Sequence, residues 1–310
     1  MLITGNRVIS IDMGNHSYKL IEAQRKPVLR ILRFGAYPKE QLIEAVSPNN
    51  EMKHLGFRTK KAILSYNHPS ILIREIPLSY PDNYQDDALF HLSVQDAIQQ
   101  YESDLKVELD YDYFIDLVDE GTELYNATTI TVSKNINRMY IDQAIRLGLK
   151  PVSVGLQSCA IHKLISKAGI SDYFLVDFGY EYTTVAVVSS QHVPLVKVLP
   201  IGCKSLQQEK YEPEIILDHL LSTYQNQISY CIDKIGQKPL KYGILYGGGA
   251  YIPELKNFLR QHIQLEWSTL QDLHDLIPFI PNIIDLNIYG NCLGSLICED
   301  GKQEERKYSL

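Results

Sequence analysis

Two aspartates stand at the ends of apolar runs, and each is followed two residues later by a glycine. The pairs are Asp12 with Gly14 and Asp177 with Gly179. A strand that ends in such a turn offers a carboxylate, which can hold Mg²⁺ through water, and backbone N–H groups, which can face a phosphate. A single Asp-x-Gly turn is more typical of a plain β-hairpin. Two of them, at similar distances from the starts of two halves of the chain, favour a phosphate site.

Two further features add to this pattern. Lys19 lies seven residues beyond Asp12. In the second half, an apolar run at 242–246 leads into three glycines at 247–249, and a helical pattern follows at 252–262. Because glycine has no side chain, this turn allows a flat group to lie against bare backbone. It is the third element of the candidate site.

Short strands and a few helices must position these residues. Apolar or alternating runs predict strands, whereas longer periodic segments with Pro near the start or Gly at the end predict helices. The predicted strands are 8–13, 18–23, 28–34, 61–66, 71–76, 112–118, 125–132, 151–154, 174–176, 184–188, 193–199 and 242–246. The predicted helices are 38–46, 84–100, 136–147, 158–168, 213–235, 252–262 and 287–297. Small residues in the last helix (Gly290, Cys292 and Gly294) predict that it packs closely against another element.

The composition is that of an ordinary soluble protein, with 310 residues, 45% apolar and 22% charged. We expect neither a signal peptide nor a membrane span, which would need roughly 18 apolar residues in a row. The five cysteines form no C-x-x-C pair and the nine histidines show no ligand spacing, so we expect reduced thiols and no dedicated protein metal site. The net charge of −7 argues against a nucleic-acid partner.

Five stretches carry a resemblance to a known family. IDMGNHSYKL and LVDFGYEYTT resemble two phosphate loops, YGGGAYIPEL resembles an adenosine loop, RLGLKPVSVGLQSCAI resembles the segment leading back into the first domain, and NIYGNCLGSLI resembles the last helix. On these stretches the chain resembles the actin/Hsp70-like ATPase superfamily and, within it, the PilM family of type IV pilus assembly proteins, which is related to FtsA. The resemblance spans residues 8–297.

The resemblance implies an α/β fold of the actin-like (ribonuclease H-like) kind with two domains. Domain I would cover 1–170, with its core at 1–66 and 149–170 and an inserted α+β subdomain at 67–148. Domain II would cover 171–310, with a shortened insert near 201–211.

The resemblance also implies ATP and Mg²⁺ as ligands. Asp12 and Asp177 would hold Mg²⁺ through water, and Lys19 would reach the phosphates. The backbone that would cradle phosphate oxygens is that of Gly14, Asn15, Ser17, Gly179, Glu181 and Thr183. The residues that would lie against adenosine are Gly248 and Gly249.

Hydrolysis is left open by two features. Gln157 matches a position near the attacking water and could orient that water, although a neutral amide is a poor general base. A polar residue at the entry to a helix is an equal alternative for Gln157. The resemblance implies charged residues near the ribose, but the shortened insert has no motif for them. Glu209 and Lys210 are the candidates to replace those contacts. We therefore expect at most a weak ATPase.

A strongly acidic stretch lies in the inserted subdomain. Residues 82–123 contain thirteen Asp or Glu and one basic residue, Lys106, which gives a formal charge of −12. Such a run is usually a solvated face, but it also suits a basic peptide. The resemblance implies a PilN-like membrane partner, and cytoplasmic segments beside a membrane span tend to carry Lys and Arg. We therefore hypothesise that its N-terminal segment docks on this stretch.

The resulting interpretation is a cytoplasmic nucleotide-binding scaffold for a type IV pilus or a related competence or secretion pilus. It would be peripheral at the inner face of the membrane through its partners, which would include other pilus assembly proteins. The alternatives are an FtsA-like filament-forming protein, an actin-fold adaptor that no longer binds ATP, and a sugar or acyl kinase, for which we find no candidate base. The sequence is also compatible with a homo-oligomer.

Overall fold

The computed structural model describes residues 7–26, 28–45, 52–78, 87–119, 124–188, 195–207, 215, 218–219, 221–226, 229 and 240–297. The strands are β1 (Arg7–Met13), β2 (Ser17–Gln24), β3 (Arg30–Pro38), β4 (Lys61–Tyr66), β5 (Leu72–Leu78), β6 (Leu109–Asp119), β7 (Leu124–Ser133), β8 (Lys150–Leu156), β9 (Tyr173–Phe178), β10 (Thr183–Val188), β11 (Leu195–Leu199), β12 (Tyr242–Tyr246) and β13 (Glu266–Thr269). The α-helices are α1 (Lys39–Ala45), α2 (Asp87–Leu105), α3 (Lys134–Arg146), α4 (Gln157–Lys167), α5 (Cys203–Gln207), α6 (Pro253–His262) and α7 (Leu286–Leu296), with short 3-10 helices at Met52–Leu55, Gly248–Tyr251 and Gln271–Leu276.

Contacts group the chain into two compact units. Unit 1 consists of Met1–Tyr66, Ala144–Ile170 and Leu270–Leu310, and unit 2 consists of Asn67–Gln143 and Ser171–Thr269. Each unit has its own five-stranded sheet, in the order β3-β2-β1-β4-β8 in unit 1 and β11-β10-β9-β12-β13 in unit 2.

The two sheets repeat one arrangement. In each, the three strands of an antiparallel meander are followed by two strands parallel to the first of them. The central strand β1 is buried from Val8 to Met13, and all of β10 is buried, which explains why both read as nearly continuous apolar runs. The edge strand β8 has no fully buried residue. This repeat is the arrangement expected of the predicted actin-like fold.

Unit 2 also contains the inserted strands and helices. They form a three-stranded antiparallel sheet in the order β5-β7-β6. Helix α2 contributes Val94 and Ile98 to a small core with residues of all three strands. The predicted α+β character of the insert is confirmed.

Helix α7 belongs to unit 1, where glycines let it approach α4 closely. A Cβ atom added to Gly294 would lie 1.8 Å from the carbonyl oxygen of Ala160. At its start, the Asp285 carboxylate accepts a hydrogen bond of 2.9 Å from the Asn287 N–H group. The close packing predicted for this helix is confirmed.

The compact units differ from the predicted domain bounds, which placed 67–148 in domain I and 171–310 in domain II. Residues 270–297 join unit 1 because α7 packs on α4, β1 and β2. The insert joins unit 2, where Asn67 donates a hydrogen bond of 2.8 Å to the Thr184 hydroxyl.

Most predicted elements are confirmed with shifts of a few residues at their ends. Gly148, predicted to end a helix, follows α3 with a φ of 74° in the left-handed region that favours glycine. Of the predicted helix at 213–235, the structure describes 215, 218–219, 221–226 and 229, and all of these residues are helical. The candidates Glu209 and Lys210 and the two ends of the acidic stretch, 82–86 and 120–123, lie outside the described residues. In the part of the chain that the structure describes, no helix has the length and apolar character needed to cross a membrane.

Candidate functional site

The first Asp-x-Gly turn joins β1 to β2 and brings a carboxylate next to an ammonium. Asp12 and Lys19 are directly opposite each other in the antiparallel pair. Side chains at such positions are neighbours on one face of the sheet. The Lys19 Nζ atom accordingly lies 3.7 Å from Asp12 Oδ2. Asp12 is only 3% exposed and the Lys19 side chain is 23% exposed, so the carboxylate is shielded from water and the ammonium is partly accessible.

Two amide side chains also donate to the Asp12 carboxylate. Gln157, the first residue of α4, donates to Oδ1, and Asn291 from α7 donates to Oδ2 at 3.4 Å. A carboxylate has about four acceptor positions. Together with Lys19, these donors fix the orientation of the carboxylate.

Helix α7 holds the same hairpin at a second point. The Cys292 thiol donates to the Lys19 carbonyl oxygen at 3.1 Å. This thiol is fully buried, and both its burial and the nearby Asp12 charge raise its pKa above the usual range. Cys292 is therefore a structural thiol.

The two Asp-x-Gly turns share one close approach of the backbone to itself. A Cβ added to Gly14 would lie 2.8 Å from the Ser17 carbonyl oxygen, and one added to Gly179 would lie 2.8 Å from the Tyr182 carbonyl oxygen. Glycine is therefore needed at both turns because the backbone turns back on itself. The Gly179 N–H group donates to the Tyr182 carbonyl at 3.0 Å, so this amide is engaged in closing the turn.

The glycine turn after β12 lies beside the second aspartate. β9 and β12 are parallel neighbours, with Asp177 opposite Tyr246. The next residue, Gly247, has a φ of 78°, and a Cβ there would lie 2.4 Å from Asp177 Oδ1. The structure thus brings together two elements that are about seventy residues apart in the sequence.

The other two glycines of this turn contact the protein itself. A Cβ on Gly249 would lie 2.4 Å from the Cβ of Phe178, and one on Gly248 would lie 3.3 Å from the Cys203 sulfur. The half-buried Cys203 thiol has a pKa raised to about 11, mainly because burial disfavours the thiolate. On this side of the turn, the bare backbone serves internal packing.

Helix α5 is bound to the second Asp-x-Gly turn. The N–H groups of Cys203 and Lys204 donate to the carbonyls of Gly179 and Tyr180, both at 2.9 Å. The Lys204 ammonium lies 2.8 Å from Glu181 Oε1, and the pairing with Glu181 raises the pKa of Lys204.

The structure gathers the predicted site residues into two groups. Unit 1 holds Asp12, Gly14, Asn15, Ser17, Lys19 and Gln157, and unit 2 holds Asp177, Gly179, Glu181, Thr183, Gly248 and Gly249. The Thr183 hydroxyl donates to the Ile201 carbonyl at 2.7 Å, so its side chain serves the turn. Within the described residues, no group of three or more His, Cys, Asp or Glu could hold a metal ion.

Two residues that contact these groups were not predicted from the sequence. Asn291 reaches Asp12 from a helix 279 residues further along the chain, and nothing in the sequence links the two. Lys204 lies in the stretch predicted to be a shortened insert. That position was the one signal in the sequence for a role of Lys204 at the site.

The fold defined by this repeated sheet is that of the actin-like proteins. A protein with an actin-like ATPase fold and unknown function from Bacteroides thetaiotaomicron has a TM-score of 0.52 to the chain at 10% identity, with coverage of 95% of this chain and 96% of that one. The likeness confirms the predicted fold class.

A stronger likeness is to a chain of the PilM-PilN type IV pilus biogenesis complex. The TM-score is 0.69 at 14% identity, with coverage of 93% of this chain and 97% of that one. No protein-family model matches the sequence. No curated protein matches it either.

Proposed function

We propose that the protein is an actin-like scaffold that binds Mg-ATP and takes part in assembling a type IV pilus or a related machine. The observation that carries the nucleotide part is the repeat of one Asp-x-Gly hairpin on two sheets of the same strand order. The observation that favours the pilus is the structural likeness to a chain of the PilM-PilN complex over nearly its whole length.

The side chains fit Mg-ATP in chemical type. Asp12 and Asp177 supply the carboxylate oxygens that Mg²⁺ and its waters prefer, and Lys19 supplies an ammonium for phosphate. Glycine at position 247 lets the backbone approach the Asp177 carboxylate more closely than a larger residue would allow. Bound ATP would supply a phosphoryl group that can be transferred to water.

Slow hydrolysis, at most, is the proposed activity. Gln157 donates its amide to Asp12, and an amide cannot remove a proton from water efficiently. In this arrangement Gln157 orients the Asp12 carboxylate. The nucleotide would then act as a ligand that changes the conformation presented to partners. Such a change requires that the nucleotide bind one conformation of the protein more tightly than another.

Calorimetric titration of Mg-ATP into the full-length protein tests the nucleotide part. We expect micromolar binding that is weakened in both Asp12→Ala and Asp177→Ala. Glu44→Gln, on the exposed face of α1, is the matched control and should bind as the parent does. No binding at millimolar Mg-ATP would show that the chain is an adaptor without nucleotide.

The proposed partner is a basic N-terminal peptide of a PilN-like membrane protein, docking on the acidic stretch 82–123. Of the acidic side chains described there, Asp96, Asp104 and Glu108 are exposed. Others serve the subdomain itself, since Glu102 accepts from the Leu109 N–H at 2.7 Å and Asp110 accepts from Asn137 at 2.6 Å. The protein would thus be held at the inner face of the membrane from the cytoplasm through this contact.

Salt dependence of the association rate tests this docking. We expect the rate for a PilN-like basic peptide to fall several-fold between low and physiological salt, because exposed charges are screened over about 8–10 Å. Asp96→Lys with Asp104→Lys should lower the rate further. The control reverses two charges away from the acidic stretch, Lys163→Glu and Lys167→Glu on α4 of unit 1, and should not lower the rate. An association rate that does not change with salt would contradict electrostatic docking.

A further inference from the structure

The two hairpins share one strand register, but different residues stand opposite their aspartates. Asp12 is opposite Lys19 in the first hairpin, and Asp177 is opposite Thr184 in the second. Thr184 is 3% exposed, and its hydroxyl accepts a hydrogen bond from Asn67. The second hairpin therefore carries no cation at the place where the first carries Lys19.

A cation reaches the second turn from a different element. The backbone of α5 is tied to this turn by two hydrogen bonds, from Cys203 to Gly179 and from Lys204 to Tyr180. A Cβ on Gly202 would lie 2.5 Å from the Tyr180 carbonyl oxygen, so the approach of α5 depends on glycine. This anchoring fixes the backbone of Lys204 beside the turn, and the Lys204 Nζ atom lies 5.8 Å from the centroid of the Tyr180 ring.

The Lys204 ammonium is paired with a residue of the turn itself. It lies 2.8 Å from Glu181 Oε1, and the two side chains are 39% and 36% exposed. Both charges are therefore accessible to a ligand. A phosphate carries more negative charge than a carboxylate and offers more acceptor oxygens, so it can displace Glu181 from an ammonium.

We infer that Lys204 is the phosphate-binding cation of unit 2, with Glu181 as the counter-ion that holds it until a polyphosphate binds. This inference rests on the proposed binding of Mg-ATP. Lys204 lies within the shortened insert, where the sequence offers no motif for a binding residue. The inference also predicts that the two partners of one ion pair affect binding in opposite directions.

A surface ion pair with only a structural role would behave differently. Such a pair contributes little to stability, and removing either partner has a similar effect. If Lys204 binds phosphate, Lys204→Gln removes a ligand contact, whereas Glu181→Gln removes a competitor for that contact. The sign of the second effect separates the two roles.

Calorimetry with Mg-ATP, Mg-ADP and adenosine on Lys204→Gln, Glu181→Gln and the double variant is the test. We expect Lys204→Gln to weaken Mg-ATP and Mg-ADP about fivefold, as an exposed charge contact should, and to leave adenosine unchanged. Glu181→Gln should tighten Mg-ATP, and the double variant should match Lys204→Gln. Lys197→Gln, an exposed lysine of β11, is the control and should change nothing.

The outcomes separate this inference from the proposed function. Equal weakening of adenosine and Mg-ATP by Lys204→Gln would overturn it, as would a tightening by Glu181→Gln that persists in the double variant. Unchanged Mg-ATP binding in Lys204→Gln would overturn the inference and leave the proposed function standing. Absence of Mg-ATP binding in the unmodified protein would overturn the proposed function itself. Thermal unfolding of each variant shows whether the fold is intact.

Discussion

Replacing Gly294 by alanine should destabilise the protein by about 3 kcal/mol or more, among the larger effects of a single methyl group. The added Cβ would lie 1.8 Å from the Ala160 carbonyl oxygen and 2.4 Å from its carbonyl carbon. Both atoms belong to the backbone of α4, so no side chain can rotate away to make room. Either α7 moves away from α4, or α4 bends.

Two other glycines of unit 1 calibrate this prediction. At Gly290 a Cβ would meet the ends of two flexible side chains, Leu270 at 2.5 Å and Ile161 at 2.7 Å, so Gly290→Ala should cost less. At Gly155, on the edge strand β8, a Cβ would meet nothing within 4 Å, so Gly155→Ala should be neutral. Urea unfolding of the three variants provides the comparison. Equal stability of Gly294→Ala and Gly155→Ala would contradict the packing of α7 on α4.

The effect of Gly294→Ala should also reach the first hairpin. Helix α7 contacts that hairpin through Asn291, which donates to Asp12, and through Cys292, which donates to the Lys19 carbonyl. A shift of α7 would move both contacts. The closing helix therefore links packing in unit 1 to the orientation of the candidate phosphate-binding residues.

The strands that carry the site could be predicted from the sequence because buried strands consist mainly of apolar residues. β1 and β9 are buried runs whose next-to-last residue is Asp, and the glycine that follows each strand indicates a turn. The pairing of Asp12 with Lys19 follows from a tight turn centred on residues 15 and 16. Local patterns of this kind need no knowledge of distant residues.

The contacts that complete the site could not be predicted, because they join distant segments. Asn291 is one of several polar residues in an apolar helix, and only the packing of α7 on β1 turns it towards Asp12. Lys204 is one lysine among many until α5 folds back onto the second turn. The same packing explains why residues 270–297 group with unit 1, which the order of the chain alone does not indicate.

Replacing Asp12 by asparagine should weaken Mg-ATP binding by about 10- to 100-fold, the usual cost of losing a group that orients a metal's ligands. The change removes the negative charge that pairs with Lys19 at 3.7 Å. It also places an NH₂ group where Gln157 or Asn291 now donates, so one buried amide loses its acceptor. That loss should lower stability by about 1–3 kcal/mol.

Comparison with Asp12→Ala and Asp177→Asn separates binding from stability. Asp12→Ala leaves both donating amides without an acceptor and should be less stable than Asp12→Asn, although both should bind Mg-ATP poorly. Asp177→Asn should also weaken binding and cost less stability, because Asp177 is only partly buried. Titrations well below each variant's unfolding midpoint measure affinity on folded protein. If Asp12→Asn binds Mg-ATP as the parent does, Asp12 is a structural acceptor for Gln157 and Asn291, and the proposed role of the first hairpin in binding Mg-ATP is wrong.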